Sequence, residues 1–169
     1  MYTILGLAPS LPWMVVLIAL RTVVSRRLLQ PLMASLYADS PLPARVVRQK
    51  TARVASCAFK SVYFMASTAV CVLLFRHETW VPQSLFGAGE GDLTALWESF
   101  PSTDYSLPML FFYNLEFGYH LHSTIYHLLL PRRDDFFQML VHHICTIFLI
   151  AFSFATGAVR IGVLVMLLH

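Results

Sequence analysis

The chain has 169 residues, 57% of them hydrophobic and 12% charged, with a formal net charge of +3 at pH 7. A soluble domain is nearer half apolar and a quarter charged, so this chain has too few polar groups to cover a water-facing surface. Its basic residues form no run interleaved with aromatics, which argues against nucleic acid as a partner. Cys57, Cys71 and Cys145 are scattered; they make neither a disulfide framework nor a metal-binding pair, and read as packing residues.

In chain order, the apolar stretches read as membrane spans of an all-α protein. The first runs from Leu11 to Val24, extendable to Leu29, and is weakened by Arg21. It has no basic n-region before it and no small-residue cleavage site after it, so it reads as a retained anchor rather than a signal peptide. The second runs from Ala58 to Phe75 and the third from Leu107 to Leu130, with Pro108 suitably in its first turn. The fourth spans Phe136 to Phe154, and a fifth begins near Val159 and is still apolar at His169. A span needs ~20 residues, so the fifth is about half present. The expectation is a polytopic transmembrane helix bundle of four full spans plus an incomplete fifth, truncated at the C-terminus.

Charge predicts its orientation. Between the first two spans and at the start of the second stand Arg26, Arg27, Arg45, Arg48, Lys50, Arg53 and Lys60, against Asp39. The next connection carries Arg76 against Glu78, Glu90, Asp92, Glu98 and Asp104. The positive-inside rule makes the first segment cytosolic and the second lumenal or exterior. The turn from Pro131 to Asp135, with Arg132 and Arg133, then returns to the cytosolic side. Trp80, Trp97 and Tyr105 lie near span ends and read as interfacial aromatics.

Ionisable groups at bilayer depth are costly and mark function by default. The third span carries Glu116, His120, His122 and His127, the fourth His142 and His143, and the fifth Arg160 and His169. At ~100° per residue, Tyr113, His120, Ser123 and His127 all fall within about 60° of Glu116. The helix therefore bears one polar stripe, read as a cavity wall in preference to interhelical glue, with His122 off it and His127 taken as interfacial. By helical rise His142 lies roughly 10 Å, and His120 about 15 Å, from the cytosolic end. His169, reached from the other side, is also about 15 Å deep. Histidines of three helices can thus converge. Adjacent His142 and His143 cannot both point at one spot, and Thr146, one turn on, is placed to bond His142.

The run Arg133-x-Asp135-Phe136-x-x-Met139-x-x-His142-His143-x-x-Thr146-x-x-Leu149, then Ser153, Arg160-x-Gly162-x-Leu164 and His169, resembles the Lag motif of ceramide synthases, members of the TLC-domain membrane proteins. Tyr113-x-x-Glu116 and Trp80 add to the likeness. It divides the chain into residues 1–57, an N-terminal span with a basic cytosolic segment, and 58–169, a partial TLC domain. The resemblance implies an endoplasmic reticulum enzyme that joins a sphingoid base to the fatty acyl chain of acyl-CoA, giving a ceramide or dihydroceramide. It implies catalysis by His142 and His143, with His169, Glu116, His120, Tyr113 and Ser123 supporting them or lining the cavity. Arg133 and Asp135 fall at the cytosolic mouth, where Arg133 could meet coenzyme A phosphates. No metal or cofactor beyond acyl-CoA as co-substrate is implied; membrane lipid and a homo- or heterodimer are the other partners considered. An Asp that follows the position of His169 in the family lies past the end of this sequence, so the chain as it stands is expected to be inactive. A non-catalytic TLC protein that binds or senses lipid is the second reading. A membrane di-iron hydroxylase is a third, disfavoured because no HxxxH or HxxHH box occurs.

Overall fold

The computed structural model describes residues 4–37, 41–90, 93–98, 100–101, 105–129 and 134–168; among these it is helical, with no β-strand. A 3₁₀ turn at Ile4–Leu7 leads into α1 (Ser10–Val24), which continues through a π-helical stretch, Ser25–Leu29, into α2 (Gln30–Leu36). Then follow α3 (Ala44–Phe75), α4 (Leu107–Leu129), α5 (Phe136–Ala155) and α6 (Val159–Leu168). Three helical runs are long and apolar enough to cross a membrane: Ile4–Leu36, Ala44–Phe75 and Phe136–Ala155. At 23 residues α4 is long enough as well, but its polar stripe keeps it out of that set.

The first two helical runs exceed their apolar cores. The basic stretch from Arg26 to Arg53, expected as a connection, is mostly helix, and α3 starts at Ala44 instead of Ala58. Residues 44–57 contain neither Gly nor Pro after Pro43 at the N-cap, so nothing in them stops a helix, whereas hydropathy marks only the part that suits lipid. With 32 residues, α3 is about 48 Å long, which carries its basic turns beyond a ~30 Å hydrocarbon core. It runs unbroken through the 57/58 division.

The polar helix is the central one. Phe112, Tyr113, Asn114, Glu116, Tyr119, His120, His122 and Ser123 of α4 are all buried. On one side α4 meets α1, and Gly118 lets the two backbones approach: a Cβ there would lie 2.8 Å from the Ser10 carbonyl oxygen and 3.0 Å from Trp13 Cβ. Asn114 Nδ2 donates to the Gly6 carbonyl (3.1 Å), and the Thr22 and Tyr126 hydroxyls are 2.5 Å apart. On the other side α4 meets α5 and α6. Tyr113 Oη lies 3.1 Å from Ser153 Oγ and donates to the Val159 carbonyl at 3.2 Å. Gly157, at φ 77°, makes the left-handed turn that ends α5 and starts α6.

The acidic connection packs onto one end of this bundle. Trp80 and Tyr105 are buried there, 3% and 8% exposed, and are core residues, not the interfacial aromatics expected; Trp97 is exposed. Trp80 rests on Phe75, and Tyr105 Oη donates to the Phe154 carbonyl. Arg160 is tied to the same end, donating to the Ala95 carbonyl at 2.6 Å. Of the cysteines only Cys71 is buried; Cys57 and Cys145 face outward, so they do not serve packing within the chain. The outer faces of α3 and α5 present Val62, Met65, Leu73, Phe137, Val141, Ile144 and Phe148, a surface for lipid or another protein to cover.

Candidate functional site

Four helices meet around a polar cavity of about 120 Å³. Helical spacing selects its lining: Ser56 and Lys60 are i, i+4 on α3, Ser123 and His127 i, i+4 on α4, and Met139 and His143 i, i+4 on α5. Tyr126 and Phe136 complete the walls, Asp135 stands at the N-cap of α5, and Arg21 enters from α1. The His143 side chain is buried, with its ring centroid 5.4 Å from that of His127. His127 Nε2 lies 2.9 Å from the Phe136 carbonyl oxygen, and its ring stacks on Phe136 at 4.7 Å. A carbonyl only accepts, so Nε2 is the donor in this contact.

His142 is on a different face. It is exposed, with its ring centroid 5.7 Å from that of His143, as a ~100° step per residue requires. Thr146 does not orient its imidazole: Thr146 Oγ1 donates instead to the backbone carbonyl of His142 (2.9 Å), the back-bond open to any helical threonine.

A second, apolar cavity of about 210 Å³ lies between α5 and α6, with His120 of α4 at its edge. His120 and Thr146 mark its near end; Leu149, Ile150, Ile161 and Val165 are among its walls. His120 is one turn from Ser123, and Thr146 one turn from His143, so the apolar space begins about one turn from the polar one.

The α4 stripe therefore has two fates, where a single cavity wall was expected. Ser123, His127 and His120 border cavities, whereas Tyr113 is tied to Ser153 and Val159. Glu116 accepts hydrogen bonds from Ser67 Oγ and from Tyr63 Oη (3.3 Å), both on α3, and its other oxygen is 4.0 Å from His120 Nε2. His122, off the stripe, is fully buried among Phe59, Tyr119 and Tyr126. Arg133 and His169 lie outside the described residues, as does the expected convergence from α6. Among the described residues no three His, Cys, Asp or Glu side chains form a group that could hold a metal ion.

Arg21 and Lys60 are site residues beyond those expected: in the sequence Arg21 only weakens the first span, and Lys60 only adds to a basic segment. The signal was present, since a cation inside an apolar run needs an interior to face.

The TLC domain family model matches residues 53–169. The chain is 30% identical over 122 residues to ceramide synthase hyl-2 of Caenorhabditis elegans, covering 72% of this chain and 34% of that protein. It is 29% identical over 111 residues to ceramide synthase 4 of Mus musculus, covering 66% and 26%. With ceramide synthase LOH2 of Arabidopsis thaliana it shares 24% over 155 residues, 89% of this chain and 49% of that protein. The chain thus spans between about a quarter and a half of the length of these relatives. No solved structure matches it significantly.

Proposed function

The chain belongs to the TLC-domain family, and on that premise we propose that the whole protein is a ceramide synthase, transferring a fatty acyl chain from acyl-CoA to the amine of a sphingoid base. The observation that carries this reading is the placement of His143: it lines a polar cavity one turn from an apolar one. The reaction needs such a pair of spaces, since its amine and thioester are polar and both substrates trail long chains.

Two routes use the same imidazole. As a general base, His143 takes a proton from the sphingoid ammonium, the freed amine attacks the thioester carbonyl, and coenzyme A leaves as a thiolate that takes up the second proton shed by the nitrogen. As a nucleophile, its nitrogen attacks the thioester first and expels the coenzyme A thiolate; the neutral amine then displaces the imidazole from the acyl group, and its proton passes to the departing imidazole. His142 joins it in catalysis by family resemblance, with Arg133 and Asp135 at the mouth for coenzyme A and His169 approaching from α6. The chemistry requires no metal and no cofactor beyond the co-substrate.

The setting is the endoplasmic reticulum membrane, crossed by α1 with α2, α3, α4 and α5, with α6 as part of a fifth span. The basic end, holding Arg26 to Arg53, faces the cytosol. Glycosylation acceptors inserted into residues 76–104 are expected to be modified and those inserted near Asp39 are not; the reverse pattern overturns this orientation.

The catalytic assignment is tested in membranes of cells lacking endogenous ceramide synthase, using a labelled sphingoid base. The whole protein is expected to give labelled ceramide, and His143→Ala no more than empty vector at equal membrane abundance. Product formation by His143→Ala near the wild-type rate refutes the role of His143. Lipid binding by the wild type without any product leaves the non-catalytic reading instead.

A further inference from the structure

Arg21 stands outside the matched TLC region and is still part of the site. It is 5% exposed, on a helix of a run apolar enough to cross a membrane. Its Nη2 donates to Ser56 Oγ at 2.8 Å, and its guanidinium carbon lies 4.0 Å from the Tyr126 ring centroid and 5.7 Å from that of Phe59. These contacts fix the plane of the guanidinium without neutralising it. Among the described residues no carboxylate is within ion-pairing distance of Arg21. A buried cation without an anion is costly, and proteins keep one where a ligand supplies the counter-charge.

The cavity supplies the place for that ligand. Arg21 and Lys60 both line it, along with His127 and His143; among the described residues Asp135 is the one carboxylate in its wall. Its volume of about 120 Å³ is several times the ~10–15 Å³ that seats one water, enough for a tetrahedral oxyanion at the Arg21 and Lys60 end. A planar guanidinium held by stacking is pre-organised for two parallel N–H···O bonds to such a group, which a lysine in its place cannot make.

We infer that Arg21 and Lys60 form a phosphoryl-binding subsite, so that the N-terminal helix completes the site of the TLC domain. The inference rests on the acyl-transfer reading for its use: the phosphoryl group belongs to the acyl donor, and holding it at Arg21 and Lys60 leaves the pantetheine arm to carry the thioester on toward His143. Phosphate chemistry also occurs in lipid headgroups, and the experiment separates the two sources.

The detergent-solubilised whole protein is titrated with adenosine 3′,5′-bisphosphate, a fragment of coenzyme A, and separately with a sphingoid-base 1-phosphate, with thermal stability as the readout. Wild type is expected to be stabilised by the nucleotide, and Arg21→Gln and Lys60→Met to lose that shift while their unliganded melting stays close to wild type. In the acyl-transfer assay Arg21→Gln should raise the KM for acyl-CoA on the order of ten- to a hundredfold, the loss of a charge-assisted bond pair, with the KM for the sphingoid base unchanged. Arg21→Lys, which keeps the charge but not the fork, should recover only part. Stabilisation by the lipid phosphate alone assigns the subsite to a headgroup and overturns the donor assignment. An unaltered nucleotide shift in both variants overturns the subsite itself. Should Arg21→Gln fail to fold, Lys60→Met and Arg21→Lys carry the same comparison. A wild type that binds the nucleotide but forms no ceramide removes the acyl-transfer reading and leaves the subsite standing.

Discussion

Tyr113 and Glu116 at one end of α4 and Ser123 and His127 at the other share one helical face, yet their surroundings differ. At the first end neighbouring helices supply partners: Ser153 and Val159 for Tyr113, Ser67 and Tyr63 for Glu116. At the second end the neighbours stand back, and a cavity opens between Arg21, Lys60, His127 and His143. A polar stripe in a membrane helix thus reports only that the face is interior. Whether it bonds or binds depends on side chains contributed by other helices.

The contrast is broken most strongly at His143. Its replacement by alanine removes a group expected to act in the transition state, worth about 10²–10⁴ in rate, or roughly 3–5 kcal/mol, with little change in folded protein. Glu116→Gln should do the opposite, since the amide still offers one acceptor to Ser67 and Tyr63. We expect about 1 kcal/mol of lost stability, read as a lower melting temperature in detergent, and near-normal acyl transfer per folded molecule. A large activity loss at unchanged melting would move Glu116 into the reactive end. Thr146→Val should matter least, within about 0.5 kcal/mol, because its hydroxyl only back-bonds to the carbonyl of His142. If that change instead shifts the pH profile of the reaction, Thr146 acts on the imidazole after all.

Helix starts were legible where the sequence punctuates them. α4, α5 and α6 begin at Leu107, Phe136 and Val159, as expected, with Pro108 in the first turn of α4 and a charged turn before Phe136. The reach of the N-terminal helical run and of α3 was not legible from hydropathy, because helix continues through Arg and Lys as readily as through Leu once it leaves lipid. Within the site, α-helical spacing was enough to put Ser123 and His127 on one face and to separate His142 from His143. It could not tell which of the two histidines faces inward, since that depends on where α4 and α3 lie around α5. Nor could it join Arg21 to Ser56, a pairing 35 residues apart in the chain.

The seam between α1 and α4 also has a consequence for how the chain is made. Its bonds link Gly6 to Asn114 and Thr22 to Tyr126, separations of 108 and 104 residues. Residues are synthesised in order, at ~5–20 per second, so α1 leaves the ribosome several seconds before the helix it is shaped to grip. During that interval the groove around Ser10 and Trp13, into which Gly118 later fits, and the charge of Arg21 must be shielded by something other than their final neighbours. Arg21 can share a bond with Ser56 early, but its Tyr126 face arrives only when α4 does. Assembly is therefore expected to depend on retaining α1 beside the insertion machinery until α4 emerges, which makes translation speed through residues 76–106 a determinant of yield.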